Sequence, residues 1–197
     1  ILKNEYRAGD ELDVEIKKIV PQGLGLAFAE KLTVFVALAA AGDVARVRLS
    51  RVKGRTAFAE IVQILQPGND RTTPPCKYFG RCGGCDMQQM TYSAQVAAKS
   101  DIITDALTRL GRIELNAPVE VVASPRPLGY RLRAQWQVDS RRRMIGYFRR
   151  HSHEVIDIDH CPILLPQLDD ELQRLRQTDA ASTFWEPSGK ITAAAGD

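Results

Sequence analysis

The chain has 197 residues, 44% hydrophobic and 26% charged, with a net charge of +3. It is long and apolar enough for one or two packed domains, and its composition excludes collagen-like, disordered and disulfide-built secreted classes. The longest mostly apolar run, residues 32–41, is too short to span a bilayer, and residues 1–13 carry Lys3, Glu5, Arg7, Asp10, Glu11 and Asp13, unlike a signal peptide. A cytoplasmic protein with no membrane partner is expected. The mild net charge conceals a strong polarity, because residues 126–150 sum to +7 and residues 151–197 to −6. Arginines outnumber lysines by 19 to 8, and arginine suits bidentate phosphate contact. Together these features imply a localised anionic partner.

From residue 11 to 65, short alternating runs are broken by turn residues. Residues 12–16 alternate apolar and acidic, and a glycine-rich turn at 21–26 leads into Ala27 and Phe28. Runs at 32–38, 44–49 and 56–65 follow. Five short strands in this span predict an antiparallel barrel of the oligonucleotide-binding type. Gly23 and Gly25 lack the following helix and Lys-Ser/Thr pair of a phosphate loop, and read as turn glycines. Arg46, Arg48, Arg51, Lys53 and Arg55 form a basic run without an acid. Arg46 and Arg48 share the outer face of a strand, as a solvated surface or a nucleic-acid platform.

Residues 66–75 contain two turn signals and read as a linker. It leads into Cys76, Cys82 and Cys85, spaced C-x5-C-x2-C, while Cys161 follows in a His160-Cys161-Pro162 context. Disulfides do not fit a cysteine-poor chain without a signal peptide. A zinc site completed by His151, His153 or His160, and an iron–sulfur cluster held by four thiolates, both remain open from spacing. Gly83 and Gly84 would let the backbone wrap closely around a bulky cluster.

Residues 93–110 predict a helix, with Ser93 as cap, Gly111 as stop and Val96, Ile103, Leu107 and Leu110 as its packed face. Between 126 and 150 eight arginines meet a single acid, Asp139, and Tyr130, Trp136, Tyr147 and Phe148 interleave with them. A strand at 132–138, a hairpin tip at 140–143 and a strand at 144–148 are expected. Trp136 is expected in the core. Arginines with aromatic rings suit single-stranded or looped RNA.

Several of these stretches together resemble one family. Pro75-Cys76-(x5)-Cys82-Gly83-Gly84-Cys85-Asp86-Met87-Gln88, with Tyr92, Gln95 and Lys99, is similar to the cluster-binding segment of the RNA (uracil-5-)-methyltransferases. Tyr130-Arg131-Leu132-Arg133, residues 145–148, residues 152–158 and Cys161-Pro162 match in order. The chain departs from the usual pattern at Leu132, where the family has Asn, and in the linker at Asn69, Asp70 and Arg71. The front resembles the TRAM domain of the branch acting on 23S ribosomal RNA. The resemblance implies an α+β chain: a five-stranded OB-like β-barrel (TRAM-type, residues 1–67), then a mixed antiparallel-sheet and helix domain with a cysteine-ligated cluster (68–197). Residues 93–124 would be a helical segment packing on a catalytic domain.

The resemblance further implies a 4Fe–4S cluster on Cys76, Cys82, Cys85 and Cys161, and ribosomal RNA as partner without an obligate protein partner. RNA contacts are expected from Arg46, Arg48, Arg131 and Arg133, with Arg141, Arg142 and Arg143 on phosphates. The family methylates carbon 5 of a uridine with S-adenosylmethionine, using a cysteine nucleophile. If the cluster takes all four cysteines, none remains, and no glycine-rich cofactor turn is evident. Beginning without Met and stopping just after a strand starts near Ile191, the chain reads as a recognition half: catalytic domain absent, inactive alone. The competing reading is a stand-alone RNA-binding module with a structural zinc.

Overall fold

The computed structural model describes residues 6–178, 185–186 and 189–196. Lys3, Glu5 and Asp197, used above in reading the two ends, lie outside the described residues. Contacts divide the chain into two compact units, residues 1–74 with 86–123 and residues 75–85 with 124–197. This grouping differs from the expected 1–67 and 68–197 segments, since the helical stretch joins the first unit. Among the described residues, no helix is long and apolar enough to cross a membrane.

The first unit is built on β1 (Glu11–Glu15), β2 (Lys18–Val20), β3 (Leu24–Ala29), β4 (Leu32–Ala37), β5 (Val44–Lys53) and β6 (Thr56–Gln66). They form one six-stranded sheet in the order β1-β5-β6-β4-β3-β2. Six strands replace the five expected. The extra one, β2, is three residues long and buries only Ile19, too little for an alternation to register. One pairing, β4 with β6, is parallel. Alternation puts Val14, Val34, Val36, Val47 and Leu49 inside, and Arg46 and Arg48 outside as expected. Three register shifts interrupt the β5–β6 ladder, and such irregularities bend and twist long strands.

Gly23 is a turn glycine, with φ of +69°. Gly25 is not: it lies buried inside β3, and a Cβ there would stand 2.8 Å from both Ala39 Cβ and Ile16 Cγ2. The expected linker is also firmly held. Arg71 donates through Nε (2.9 Å) and Nη2 (2.7 Å) to the fully buried Asp43 carboxylate. That carboxylate also accepts from the backbone N–H of Ala40 and Gly68. A buried carboxylate is tolerable only when so answered.

Helix α1 (Tyr92–Asp105) is capped by Thr91, whose hydroxyl accepts from the Ala94 N–H, two residues earlier than the expected Ser93 cap. A π-helical turn, Ala106–Leu110, ends at Gly111 in ordinary right-handed geometry. The packed face is also not the expected one. Ala94, Ala98 and Ile102, at i, i+4 and i+8, meet the core, while Ile103 and Leu110 are exposed. Small alanines let the helix approach closely, and hydrophobicity alone did not reveal which face would do so.

The second unit contains β7 (Arg133–Asp139), β8 (Met144–Phe148), β9 (Val155–Asp157), α2 (Pro166–Arg176) and β10 (Gly189–Ala194). Its sheet runs β10-β7-β8-β9, antiparallel throughout. The β7–β8 hairpin and its arginine tip fall where expected. Trp136 is fully buried, packed with Ile145, Ile156, Ile158 and the Leu168, Leu172 and Leu175 stripe of α2. Truncating a buried Trp to Ala typically costs about 3–5 kcal/mol. Sequence reading missed α2, although Pro166 at its first turn and leucines at helical spacing announce it.

Candidate cysteine site and nucleic-acid interface

All four cysteines belong to the second unit, half-buried and unbridged by disulfides. Residues 76–85 form a compact loop in which the Cys82 N–H donates to Tyr78 O (2.8 Å) and the Gly83 N–H to Phe148 O (3.0 Å). Cys82 forms a bridge pair with Arg149, fixing the loop to the end of β8. On the other side, the Tyr78 hydroxyl donates to Asp159 (2.7 Å), two residues before Cys161. Asp169, in the first turn of α2, accepts from the Cys161 N–H (2.8 Å), which seats that cysteine at the helix start.

The thiols feel one another. Burial pushes the Cys161 thiol up from 9.0 to about 11, and Cys85, Cys76 and Cys82 all add to the rise, while the Ile163 N–H offsets part of it. Burial also raises Cys82, opposed by the Gly84 N–H and by Arg131 and Arg150. The Gly84 N–H lies 3.4 Å from Cys82 Sγ. Tyr147 is pushed far up, first by burial and then by Cys161, partly offset by Arg131 and Trp136. Trp136 Nε1 lies close enough to the Tyr147 hydroxyl to ease its titration, but neither atom makes a hydrogen bond of good geometry among the described residues.

Among the described residues, no three His, Cys, Asp or Glu side chains converge as they would around a metal ion. His160 faces Asp169 at 2.6 Å and His153 lies edge-on to Phe148, so neither extends the cysteine set toward the zinc alternative.

The arginines divide into two groups. Arg46 bonds Asp13 (2.8 and 3.0 Å) and Arg48 bonds Glu11 (3.0 and 2.6 Å), each directly across the β1–β5 ladder. The basic run of β5 lacks acids only in its own strand, because β1 supplies them. Arg131 is half-buried and held to the Cys161 segment, its N–H donating to Ile163 O (2.8 Å). Arg133 and Arg141 are exposed with no ion pair among the described residues. Arg142 stands 4.0 Å from Asp139 and 3.8 Å from Glu154, and Arg143 lies over the Trp185 ring at 5.5 Å.

Of the four rings expected to interleave for RNA, only Tyr130 is substantially exposed, at 50%. Trp136 is core, and Tyr147 turns its hydroxyl inward beside the cysteines. The acidic segment is largely engaged in holding the same unit together, through Arg176–Asp157, Lys77–Asp159 and Arg149–Glu154.

Comparison with known proteins then gives this geometry a context. The TRAM domain family matches residues 6–62. An uncharacterized RNA methyltransferase of Thermosynechococcus vestitus is 32% identical over 87% of this chain and 39% of its own length. The 23S rRNA (uracil(1939)-C(5))-methyltransferase RlmD of Pectobacterium atrosepticum is 36% identical over 84% of this chain and 37% of its own. The crystal structure of Pyrococcus abyssi tRNA (uracil-54, C5)-methyltransferase in complex with S-adenosyl-L-homocysteine superposes with a TM-score of 0.57 at 26% identity, covering 83% of this chain and 36% of that one. The chain thus spans 36 to 39% of the length of these relatives.

These findings correct the expectation of an inactive recognition half lacking a catalytic domain. Nearly the whole chain aligns within enzymes named as methyltransferases, one of them solved with the demethylated cofactor. The stand-alone zinc module is set aside on the same ground.

Proposed function

We propose, because this chain belongs to the 23S ribosomal RNA (uracil-C5)-methyltransferase family, that it is an RNA methyltransferase acting on carbon 5 of a uracil in 23S ribosomal RNA. The observation that carries this is the extent of the match: 84% of the chain aligns at 36% identity with an enzyme of that named activity. S-adenosylmethionine is the methyl donor in this reading, supported by the S-adenosyl-L-homocysteine held by the structural neighbour. The donor's methyl passes to carbon 5, which loses its proton, and the donor leaves as S-adenosyl-L-homocysteine; with all four cysteines of this chain given to the cluster below, none of them is assigned as the nucleophile. The target base must leave its stack first, so the enzyme needs surfaces that grip the surrounding RNA. Residues 1–67 supply an RNA-binding barrel of TRAM type. The exposed Arg133 and Arg141 to Arg143 of the second unit supply phosphate contacts, with Arg131 beside them and Arg46 and Arg48 on the barrel.

Cys76, Cys82, Cys85 and Cys161 are the ligands of a 4Fe–4S cluster in the same reading. Three observations support the fit: four reduced thiols within mutual electrostatic reach, backbone N–H groups directed at Cys82 and Cys161, and a buried Tyr147 hydroxyl without an acceptor. A four-iron body is wider than one ion, so its ligands need not converge as zinc ligands do. When bound, it would act as a structural cross-link, because four thiolates leave no iron open. The chain itself holds the two cysteine segments in place through Tyr78–Asp159 and Asp169–Cys161.

The test is methyl transfer. The protein, given labelled S-adenosylmethionine and a 23S ribosomal RNA transcript, should produce 5-methyluridine, detected by mass spectrometry of the nucleosides. A label on another base, or no label, overturns the assignment.

A further inference from the structure

We propose that the outer face of β3, β4 and β6 is a stacking site for an unpaired RNA base, centred on Phe28, Phe35 and Phe58. This rests on the RNA reading above and gives it a specific subsite. The interior of the same strands is already filled by Ala27, Val34, Val36, Ala57 and Ala59, so the three rings are surplus to the core. Register places them together. Phe35 pairs with Phe58 in the parallel β4–β6 ladder, and Phe28 sits opposite Thr33 at the end of the β3–β4 ladder. Phe35 and Phe58 stack with centroids 5.5 Å apart and planes 29° from parallel. The Arg51 guanidinium lies 4.3 Å above the centre of Phe58. Phe28 is 57% exposed.

The three rings line a groove of about 800 Å³ that also includes Lys17, Lys18 and Arg109. Single exposed apolar residues are ordinary, but a cluster of rings in a groove marks a binding surface. Flat faces bordered by cations fit a base and its phosphate, because every base has a π-face and guanidinium or ammonium groups answer the backbone. Lys17 is paired with Glu15 (2.5 Å), while Lys18 (3.3 Å) and Arg109 (2.8 Å) share the single carboxylate of Asp105, so the excess positive charge lies on the Lys18–Arg109 side. Arg46 and Arg48, elsewhere on the sheet, are each matched by an acid of their own. The groove is therefore the better RNA surface of this unit. An apolar protein segment would gain nothing from the cations.

The probe is a short oligouridylate carrying one 4-thiouridine, with affinity read by fluorescence anisotropy and the photo-crosslink mapped by mass spectrometry. One stacked base is worth about 1–3 kcal/mol, so Phe28→Ala should weaken binding about ten-fold. Phe28→Trp should retain affinity. The crosslink should fall on Phe28, Phe35 or Phe58. Unchanged affinity in Phe28→Ala, with melting retained, overturns the proposal. So does a crosslink confined to residues 131–143, or self-association of the protein that Phe28→Ala abolishes, since the occupant is then a second copy. Normal formation of 5-methyluridine with an inert Phe28→Ala removes this subsite alone. Oligouridylate binding at the rings without any uridine methylation removes the functional reading and leaves the subsite.

Discussion

In the first unit the buried Asp43 carboxylate is met by Arg71 and by the N–H groups of Ala40 and Gly68, so the chain answers its own buried charge. In the second, the Tyr147 hydroxyl and the Trp136 indole nitrogen are buried without a hydrogen bond of good geometry among the described residues, beside the Cys82 and Cys161 thiols that burial raises. The difference is chemical rather than one of size. The first unit leaves the buried amide oxygen Gln89 Oε1 without a hydrogen bond among the described residues, away from any cysteine. In the second unit the comparable groups, a hydroxyl and an indole nitrogen, lie on and beside the residue that faces Cys82 and Cys161.

The largest effect should come from Asp43→Ala. Breaking a buried ion pair leaves the other charge uncompensated, at a typical cost of about 3–5 kcal/mol, so the first unit should melt much earlier by circular dichroism. An unchanged melt would remove the clamp from the comparison. Next, Cys161→Ser should abolish acid-labile sulfide and the brown visible absorption of protein made anaerobically, without changing the Asp43 side. One equivalent of zinc without sulfide in the parent protein would show that the second unit meets a different demand.

A subtler measure is Tyr147→Phe. An unsatisfied buried hydroxyl costs about 1–3 kcal/mol, so metal-free protein should become more stable when it is removed. If stability falls instead, the hydroxyl already has a partner and the contrast weakens. The smallest effect belongs to Arg46 and Asp13. The Arg46 guanidinium bonded to Asp13 holds that carboxyl below its ordinary 3.8. Its contribution is therefore present above pH 3.8 and lost as pH falls through the lowered value. The pair is exposed, so Arg46→Ala should leave the melt at neutral pH unchanged while returning the Asp13 titration seen by NMR toward 3.8.

Local periodicity made much of this visible in advance. The alternations at 12–16 and 44–49, the β7–β8 hairpin and the buried Trp136 follow directly from spacing-two patterns. Pairings between distant segments were not visible. Asp43 and Arg71 are 28 residues apart, and each alone reads as an ordinary surface charge. Arg46 and Arg48 looked like an unopposed basic strand because their acids lie on β1, which only register reveals. The groove was missed for a similar reason. Phe28, Phe35 and Phe58 fall on three strands, and the nearly unbroken apolar run at 32–38 does not show that Phe35 faces outward. The C-x5-C-x2-C spacing makes the grouping of Cys76, Cys82 and Cys85 legible, whereas Tyr147, which faces Cys82 and Cys161, reads from sequence as one of the RNA-facing rings.

Gly146 ties strand geometry to the cysteines. Any Cβ there would stand 2.1 Å from Ile156 O and 2.7 Å from Ile158 Cγ1. Those atoms belong to the stretch that runs on to Asp159 and Cys161, while β8 itself continues to Phe148, whose carbonyl anchors the Cys82 loop. The distance between the two thiol-bearing segments is thus set by a missing methyl group. A single side-chain carbon at this position would wedge them apart, altering the spacing of the cysteines without touching any of them.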